Sequence, residues 1–175
     1  NSKLYTPTNL EPRFKYNDLP NSNLKRIINN KLGKTENIPS VLNGVKYYPP
    51  YIVDPNDGDI ITHTSPLNNN YLCYRANSLD EDKLKSHLNS EEFERARLHW
   101  NQIGLEKRME ILESNANQIE NNTNGWKDEL LTDTMVGQGK SLYEAEIYSI
   151  CEMVDFLKFN NSYAEEIMNR QYIST

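Results

Sequence analysis

Apolar side chains recur every three to four residues from Ser78 onward, and this spacing constrains the fold more than any other feature of the chain. Such spacing places the apolar side chains along one face of an α-helix. Ser78 and Glu81 predict a capping box at the first helix. The last helix is predicted to be long, with Ile150 and Val154 widening its apolar face, so that it is covered on two sides. One side of this helix is predicted to carry Leu142, Ala145, Ser149, Met153, Phe156 and Ile167.

The region 1–77 has a different character, because it holds all eight prolines. A short helix is predicted after Pro20, with Gly33 as its left-handed cap. Asn43-Gly44 separates two short apolar runs and predicts a two-residue hairpin turn. Pro49-Pro50 is predicted to end the second strand, and two more strands are predicted at 60–64 and 71–75. The chain is therefore predicted to be mainly α, with an extended arm over 1–77, which contains the short helix and the β-hairpin, and a helical region over 78–175.

Charge and hydropathy exclude several classes of function. The net charge is −6, and Lys and Arg are scattered without a basic stripe, which argues against nucleic-acid binding. No apolar run approaches the roughly 20 residues that a membrane-spanning helix needs. The chain starts at Asn1 and not at methionine, which fits an N-terminal segment that was removed or left out, as in a processed organelle protein.

Cys73 and Cys151 are the two cysteines of the chain. Both lie among apolar neighbours, and neither has a CxxC partner or a histidine at ligand spacing. They are interpreted as buried thiols in a reducing compartment, and they predict no metal site.

The sequence GQGKS at 137–141 raises the possibility of a phosphate loop. The GxxxxGK[ST] pattern requires a glycine where Thr134 stands. A dinucleotide GxGxxG requires a third glycine after Gly139, but none recurs before Tyr143 and Glu144. Both patterns fail. The better interpretation is a helix junction, in which Gly137 and Gly139 end one helix and Ser141 starts the next, with Glu144 completing a capping box.

A resemblance to a known family lies in two stretches of the chain, TMVGQGKSLYEAEI at 134–147 and VDFLKFNNSYAEEI at 154–167. They resemble the aldehyde dehydrogenases that oxidise pyrroline-5-carboxylate (glutamate semialdehyde) to glutamate, which carry MVGQGK, QAEI-like and DFFRFN segments. Upstream, VLNGVKYY, TSPLNNN and EKRMEILESNANQI are similar at lower density. The resemblance extends over roughly 10–175 and corresponds to the first third of the family. The matching residues are Gly137, Gln138, Gly139, Lys140, Ala145, Glu146, Ile147, Asp155, Phe156, Phe159 and Asn160.

The resemblance implies an N-terminal arm and the helices that lead into the cofactor sheet of the aldehyde dehydrogenase fold, without the complete Rossmann-like sheet. It implies that Glu146 lies near the substrate pocket, where its carboxylate can meet the ammonium of the amino-acid product. From the residues alone, Glu146 is equally a solvated or locally paired carboxylate. The family's nicotinamide loops, general base and nucleophilic cysteine fall beyond the segment that this chain matches, so no catalytic, cofactor or metal residue is assigned, and neither cysteine is the nucleophile.

Three hypotheses follow for function. The first is a non-catalytic, truncated pyrroline-5-carboxylate dehydrogenase-like protein, a pseudoenzyme that serves as an accessory or structural subunit of a larger assembly. The alternative is the N-terminal fragment of an active NAD-dependent enzyme of proline catabolism, and a third is a small independent binding domain. The favoured hypothesis implies other protein subunits as partners, no nucleic acid, no cofactor in this chain and no membrane span, with a peripheral place on a membrane complex left open. By resemblance the setting is mitochondrial, on the matrix side.

Overall fold

A computed structural model describes residues 6–48 and 60–170. The predicted fold class is confirmed: the chain is mainly helical, with two small sheets. The predicted strand end at Pro49-Pro50 lies outside the described residues. In chain order the elements are α1 Ser22–Lys31, β1 Glu36–Ile38, β2 Ser40–Leu42, β3 Val45–Tyr47, β4 Ile60–Ser65, β5 Asn68–Asn77, α2 Glu81–Leu88, α3 Glu91–Gln102, α4 Gly104–Glu120, a 3-10 turn Thr123–Gly125, α5 Trp126–Gln138, α6 Leu142–Ala145, a π-helical turn Glu146–Cys151, and α7 Glu152–Asn169.

The chain forms two compact units. The first contains the described parts of Asn1–Ile27, Leu105–Met135 and Lys140–Thr175, and the second contains those of Ile28–Gly104 and Val136–Gly139. The predicted boundary at residue 77 stays a prediction. The core of the first unit is a cluster of buried apolar side chains, on which partly buried residues of the arm and of α4 and α5 pack. Its buried members are Leu24, Leu131, Leu142, Ala145 and Ile150.

The hairpin predicted at Asn43-Gly44 is confirmed in the second unit. β2 and β3 are antiparallel, with Leu42 opposite Val45. Asn43 has φ 50° and Gly44 has φ 74°. Two positive φ values define the mirror-image turn that matches the twist of a hairpin, and Asn followed by Gly adopts this turn at the lowest conformational cost.

A three-stranded sheet in the order β1-β5-β4 forms the rest of the β structure. β4 and β5 pair antiparallel, and β1 joins β5 in parallel. The strands predicted at 60–64 and 71–75 are both longer, because polar residues such as Asn68 extend the ladder. Backbone pairing needs no apolar side chain, so apolar patterns mark only the buried part of a strand. His63 Nε2 lies 2.7 Å from Gly137 O, and Ser65 donates to Val136 O at 2.6 Å, so β4 contacts the last carbonyls of α5.

The start of α2 differs from the prediction. The helix begins at Glu81, and Asp80 is its N-cap, whose side chain accepts a hydrogen bond from Asp82 N at 3.1 Å. The capping box predicted at Ser78 and Glu81 is therefore wrong. A carboxylate is as good a cap as a hydroxyl, and Asp80 lies directly before the first helical residue.

The helix junction predicted at 137–141 is confirmed, including its capping box. Glu144 N donates to Ser141 Oγ at 3.3 Å, and Ser141 N donates to Glu144 Oε2 at 2.9 Å. Hydrogen bonds from Ser141 lower the pKa of the Glu144 carboxyl. Because the pKa is lowered in the folded chain, the stabilisation from Glu144 is present at neutral pH and is lost as the pH falls through the lowered pKa.

Replacing Ser141 by alanine tests this cap. We expect Ser141→Ala to lower the free energy of unfolding by about 1 kcal/mol, because one helix N–H loses its acceptor. The pKa of Glu144, followed by NMR titration, should rise towards its usual value in the variant. Ser86→Ala within α2 is the control, and it should move neither quantity. An unchanged Glu144 titration in Ser141→Ala would contradict the assigned cap.

The apolar side predicted for the last helix is correct only for its first part. Leu142 and Ala145 are buried, and Ile150 and Val154 are also buried, but Phe156 is 63% exposed within this chain. Burial on two sides is therefore wrong for the chain by itself. The π turn explains the change, since it inserts an extra residue into one helical turn and rotates the following positions around the axis. The exposed side downstream of the turn carries Met153, Phe156, Tyr163 and Ile167.

Candidate functional site

A fully buried carboxylate marks the candidate site, which lies in the first unit. Glu146 is the first residue of the π turn and is 0% exposed. Single π turns inside α-helices are frequent at functional sites. The family resemblance had singled out this same residue, so its surroundings decide what it can do.

Backbone amides of the N-terminal arm occupy one oxygen of this carboxylate. Glu146 Oε2 accepts hydrogen bonds from Arg13 N at 2.7 Å and from Phe14 N at 2.9 Å. Further along the same helix, Asp155 Oδ1 accepts from Leu10 N at 2.8 Å. Two carboxylates thus hold three amides of an arm segment that has no regular structure of its own.

The other oxygen of Glu146 faces a buried lysine. Lys127, in the first turn of α5, is 6% exposed, and its Nζ lies 2.9 Å from Glu146 Oε1. Oε1 receives no well-directed hydrogen bond, so the interaction of Lys127 with this oxygen is mainly ionic. A buried carboxylate is tolerated only when a cation and hydrogen-bond donors compensate its lost hydration, and here both are present. We call Lys127, Glu146 and Asp155, with the three arm amides they contact, the arm-holding cluster.

Apolar contacts complete the attachment of the arm. Leu10 and Phe14 pack against the core that contains Leu142 and Ala145. Their backbone N–H groups donate to Asp155 and Glu146, respectively. The cluster therefore provides hydrogen-bond acceptors for backbone amides of the arm, while the side chains of Leu10 and Phe14 pack on the core. This geometry is suited to holding a peptide segment.

The buried thiol next to this cluster is poorly suited to nucleophilic chemistry. Cys151 ends the π turn and is 5% exposed. Burial raises the pKa of the Cys151 thiol from 9.0 to about 11, and the negative charge of Glu146 is the second cause of this increase. The thiolate is the reactive form of cysteine, and at neutral pH it is nearly absent here. Neither cysteine forms a disulfide, and Cys73 is half-buried and not fully buried as predicted.

Alkylation should report this protection. In a Cys73→Ser background, we expect iodoacetamide to leave Cys151 unlabelled in the folded chain and to label it fully in urea, because the folded thiol is protonated and inaccessible.

The raised pKa of Cys151 also predicts that the free energy of unfolding falls between pH 9 and 11, since the folded state binds the thiol proton more tightly than the unfolded state. A Cys151→Ala variant should lose this part of the pH dependence, and rapid labelling of the folded chain would contradict the assignment.

The GQGKS segment joins the end of α5 to the start of α6. Its lysine lies over an aromatic ring, with Lys140 Nζ 3.8 Å from the centroid of Tyr148. The described parts of the chain also contain no group of three or more His, Cys, Asp or Glu side chains that could hold a metal ion. No helix among them has both the length and the apolar content to cross a bilayer.

Sequence reasoning found Glu146 but missed most of its partners. Lys127 and the amides of Arg13 and Phe14 are separated from Glu146 by long stretches of chain, and no local pattern links them. Asp155 was noted only as part of a resemblance. Lys127 lies between Trp126 and Asp128 in the sequence, so no local pattern marked it as a buried cation.

Comparison with known structures first defines the fold of the chain. No family model matches the chain. The structure superposes on a Delta-pyrroline-5-carboxylate dehydrogenase from Mycobacterium tuberculosis, solved with NAD and cobalamin, with a TM-score of 0.77 at 21% identity, over 100% of this chain and 31% of that chain. The fold is thus that of a segment of an aldehyde dehydrogenase.

Sequence comparison then finds relatives that share one enzyme name. The chain is 29% identical over 158 residues to the mitochondrial delta-1-pyrroline-5-carboxylate dehydrogenase of Danio rerio, covering 90% of this chain and 26% of that protein. It is 28% identical over 155 residues to the Homo sapiens protein of the same name, covering 86% of this chain and 24% of that protein. The resemblance seen in the sequence is confirmed, and the chain spans about a quarter of the length of these relatives.

Proposed function

We propose that these residues act as a non-catalytic, structural part of a pyrroline-5-carboxylate dehydrogenase-like protein, working as an accessory subunit in a larger mitochondrial assembly. The observation that carries the proposal is the arm-holding cluster. Glu146, the one residue for which the resemblance implies a substrate contact, has its two oxygens engaged by Lys127 and by the amides of Arg13 and Phe14. A carboxylate in this state organises the arm.

Two further observations support a structural role. The Cys151 thiol is buried and protonated, so it offers no nucleophile for an aldehyde at neutral pH. Large apolar side chains are also exposed on several helices, as expected for a segment that packs against other protein. Examples are Leu88, Trp100, Phe156 and Ile167.

The alternative is that these residues form part of an active NAD-dependent dehydrogenase of proline catabolism. It is supported by the relatives, which are pyrroline-5-carboxylate dehydrogenases, and by the similar structure, which was solved with NAD. For this alternative we propose that Glu146 faces the ammonium of the amino-acid product. Because its oxygens are engaged within this chain, a substrate ammonium would have to share Oε1 with Lys127 or displace the arm amides from Oε2.

Activity measurements test whether these residues are catalytic by themselves, and the gene separates the two proposals. We expect the 175-residue chain neither to bind NAD in calorimetry nor to reduce it with glutamate semialdehyde, and turnover by this chain alone would overturn the structural role. A second observation concerns the gene. A coding sequence that continues in frame past Thr175 into a glycine-rich loop and a cysteine would favour the alternative, and in that longer protein Glu146→Gln should raise the KM for the semialdehyde more than it lowers kcat.

Partner capture tests the accessory role directly. The chain carrying an affinity tag should co-purify from mitochondria with defined subunits in fixed stoichiometry, and charge substitutions on the exposed side of α7, such as Phe156→Asp, should abolish that association. Phe156 is 63% exposed, so the substitution should leave the folding of the isolated chain unchanged. A chain that remains monomeric and unassociated in mitochondria would contradict the accessory role.

A further inference from the structure

The chain contains two Asn-Gly pairs, Asn43-Gly44 and Asn124-Gly125, and the structure places them in different surroundings. In both pairs the asparagine is exposed and has a positive φ, 50° for Asn43 and 55° for Asn124. Asparagine followed by glycine is the sequence most prone to spontaneous deamidation, because glycine has no side chain to hinder attack by its own backbone nitrogen. The sequence gives both sites the same intrinsic reactivity, so any difference between them must come from the fold.

The first difference is the hydrogen bonding of the attacking amide. Gly125 N donates to Asn122 O at 3.0 Å, so its proton is held and its nitrogen is fixed in the 3-10 turn. Among the described residues the Gly44 amide donates no comparable turn hydrogen bond, as expected at the second central position of a two-residue hairpin. Nothing lies within 4 Å of the position that a side chain would occupy at Gly44 or at Gly125, so the hydrogen bond of the amide, and not access of water, distinguishes the two sites.

The second difference is the stability of the surrounding element. Asn43 is at the tip of β2–β3, two strands of three residues that form a separate two-stranded sheet. Such hairpins are marginally stable and open locally at low cost. Asn124 lies in a tight turn directly before α5, where Asn122 Oδ1 also accepts from Asp128 N at 3.2 Å. Deamidation needs a backbone rearrangement that brings the glycine nitrogen to the side-chain carbonyl carbon, and only the hairpin reaches it by a small local opening.

We propose that Asn43 is a site of spontaneous deamidation in the folded protein and that Asn124 is protected. The Gly44 nitrogen attacks Asn43 Cγ, a bond forms between these two atoms, the bond from Cγ to Nδ2 breaks, and ammonia leaves with the proton lost by Gly44 N. Water then opens the resulting succinimide ring at one of its two carbonyl carbons, which gives aspartate or isoaspartate. The net reaction exchanges an amide for a carboxylate, with water consumed and ammonia released.

Deamidation has a structural consequence at α3. Asn43 Nδ2 donates to Glu92 Oε2 at 3.1 Å, and this contact attaches the hairpin tip to the first turn of α3. The product carboxylate has no proton to donate and carries the same charge as Glu92, so attraction becomes repulsion. The contact of Lys83 Nζ with the Tyr47 ring, at 3.9 Å from its centroid, remains to hold the base of the hairpin.

Peptide mapping by mass spectrometry tests the proposal on the complete chain. After incubation of the folded protein at mildly alkaline pH, we expect several-fold more aspartate and isoaspartate at Asn43 than at Asn124, and we expect the two rates to converge in urea. Asn43→Gln keeps the amide and should abolish conversion at 43 alone. Conversion of Asn124 at a rate equal to or above that of Asn43 in the folded chain would overturn the proposal, as would a difference that persists in urea.

Hydrogen exchange tests the consequence. Asn43→Asp reproduces the charge of one product, and we expect faster exchange of the Val45–Tyr47 amides in this variant, with partial rescue by Glu92→Gln. Unchanged exchange in Asn43→Asp would show that the contact with Glu92 does not hold the hairpin and would overturn this part of the inference.

Discussion

Replacing Lys127 by methionine should lower the free energy of unfolding by about 3–5 kcal/mol, the loss that follows when one partner of a buried ion pair is removed. Methionine keeps most of the apolar stem of lysine, so the variant isolates the charge. Glu146 is 0% exposed, so the variant leaves its carboxylate buried without the cation that faces it. Urea unfolding followed by circular dichroism gives the free energy directly.

An exposed pair in the same unit is the matched control for Lys127. Lys107 Nζ lies 2.6 Å from Glu110 Oε2, and both side chains are more than half exposed. Lys107→Met should change the free energy of unfolding by no more than about 0.5 kcal/mol, since exposed pairs are screened by water. Equal effects of Lys127→Met and Lys107→Met would contradict the assignment of a buried, energetically coupled pair.

A second substitution distinguishes the ionic contact from the arm contacts. Adding Glu146→Gln to Lys127→Met removes the uncompensated charge, while the amide oxygen of glutamine can still accept from the Arg13 or Phe14 amide. We therefore expect the double variant to regain part of the lost stability and to keep slow hydrogen exchange at Phe14. Glu146→Leu in the same background should release the arm, because leucine offers no acceptor to these amides.

Replacing Leu131 by alanine should lower the free energy of unfolding by about 2–5 kcal/mol. Leu131 is 1% exposed and lies in the core of the first unit with Leu24 and Leu142. The cost combines the lost transfer energy of the removed atoms with the energy of the cavity that remains. Urea denaturation measures it, and an unchanged m-value would show that the folded state stays compact.

The control for Leu131 is a leucine on the surface of the arm. Leu19 is 78% exposed, so Leu19→Ala should leave the free energy of unfolding within about 0.5 kcal/mol of the original chain. A comparable loss in the two leucine variants would mean that the core lies elsewhere than at Leu131.

Together these variants would divide the attachment of the arm into its polar and apolar parts. The arm contacts Glu146 and Asp155 through its backbone and the core through Leu10 and Phe14. If Glu146→Leu releases the arm while Phe14→Ala, which truncates an apolar contact of the arm, does not, the carboxylates determine where the arm lies. This outcome would support the structural role proposed for Glu146.

The sequence by itself determined the local elements. The hairpin at Asn43-Gly44, the left-handed cap at Gly33 and the capping box at Ser141 each depend on a few adjacent residues, and each is present. These features are readable because their free energies come from neighbouring φ values and short side-chain contacts. The family resemblance was likewise readable, since it rests on a contiguous block of residues.

Only the tertiary structure decided which side of the last helix is buried and what surrounds Glu146. The π turn at Glu146–Cys151 rotates the following residues around the helix axis, and the regular spacing of apolar residues in the sequence gives no sign of this rotation. Val154 is therefore buried and Phe156 is exposed. Lys127 meets Glu146 because Leu131 of α5 packs with Leu142 and Ile150, on either side of Glu146 in the chain. The Arg13 and Phe14 amides come from more than 130 residues away. Burial of a charge depends on where distant donors lie, and that information exists only once the chain has folded.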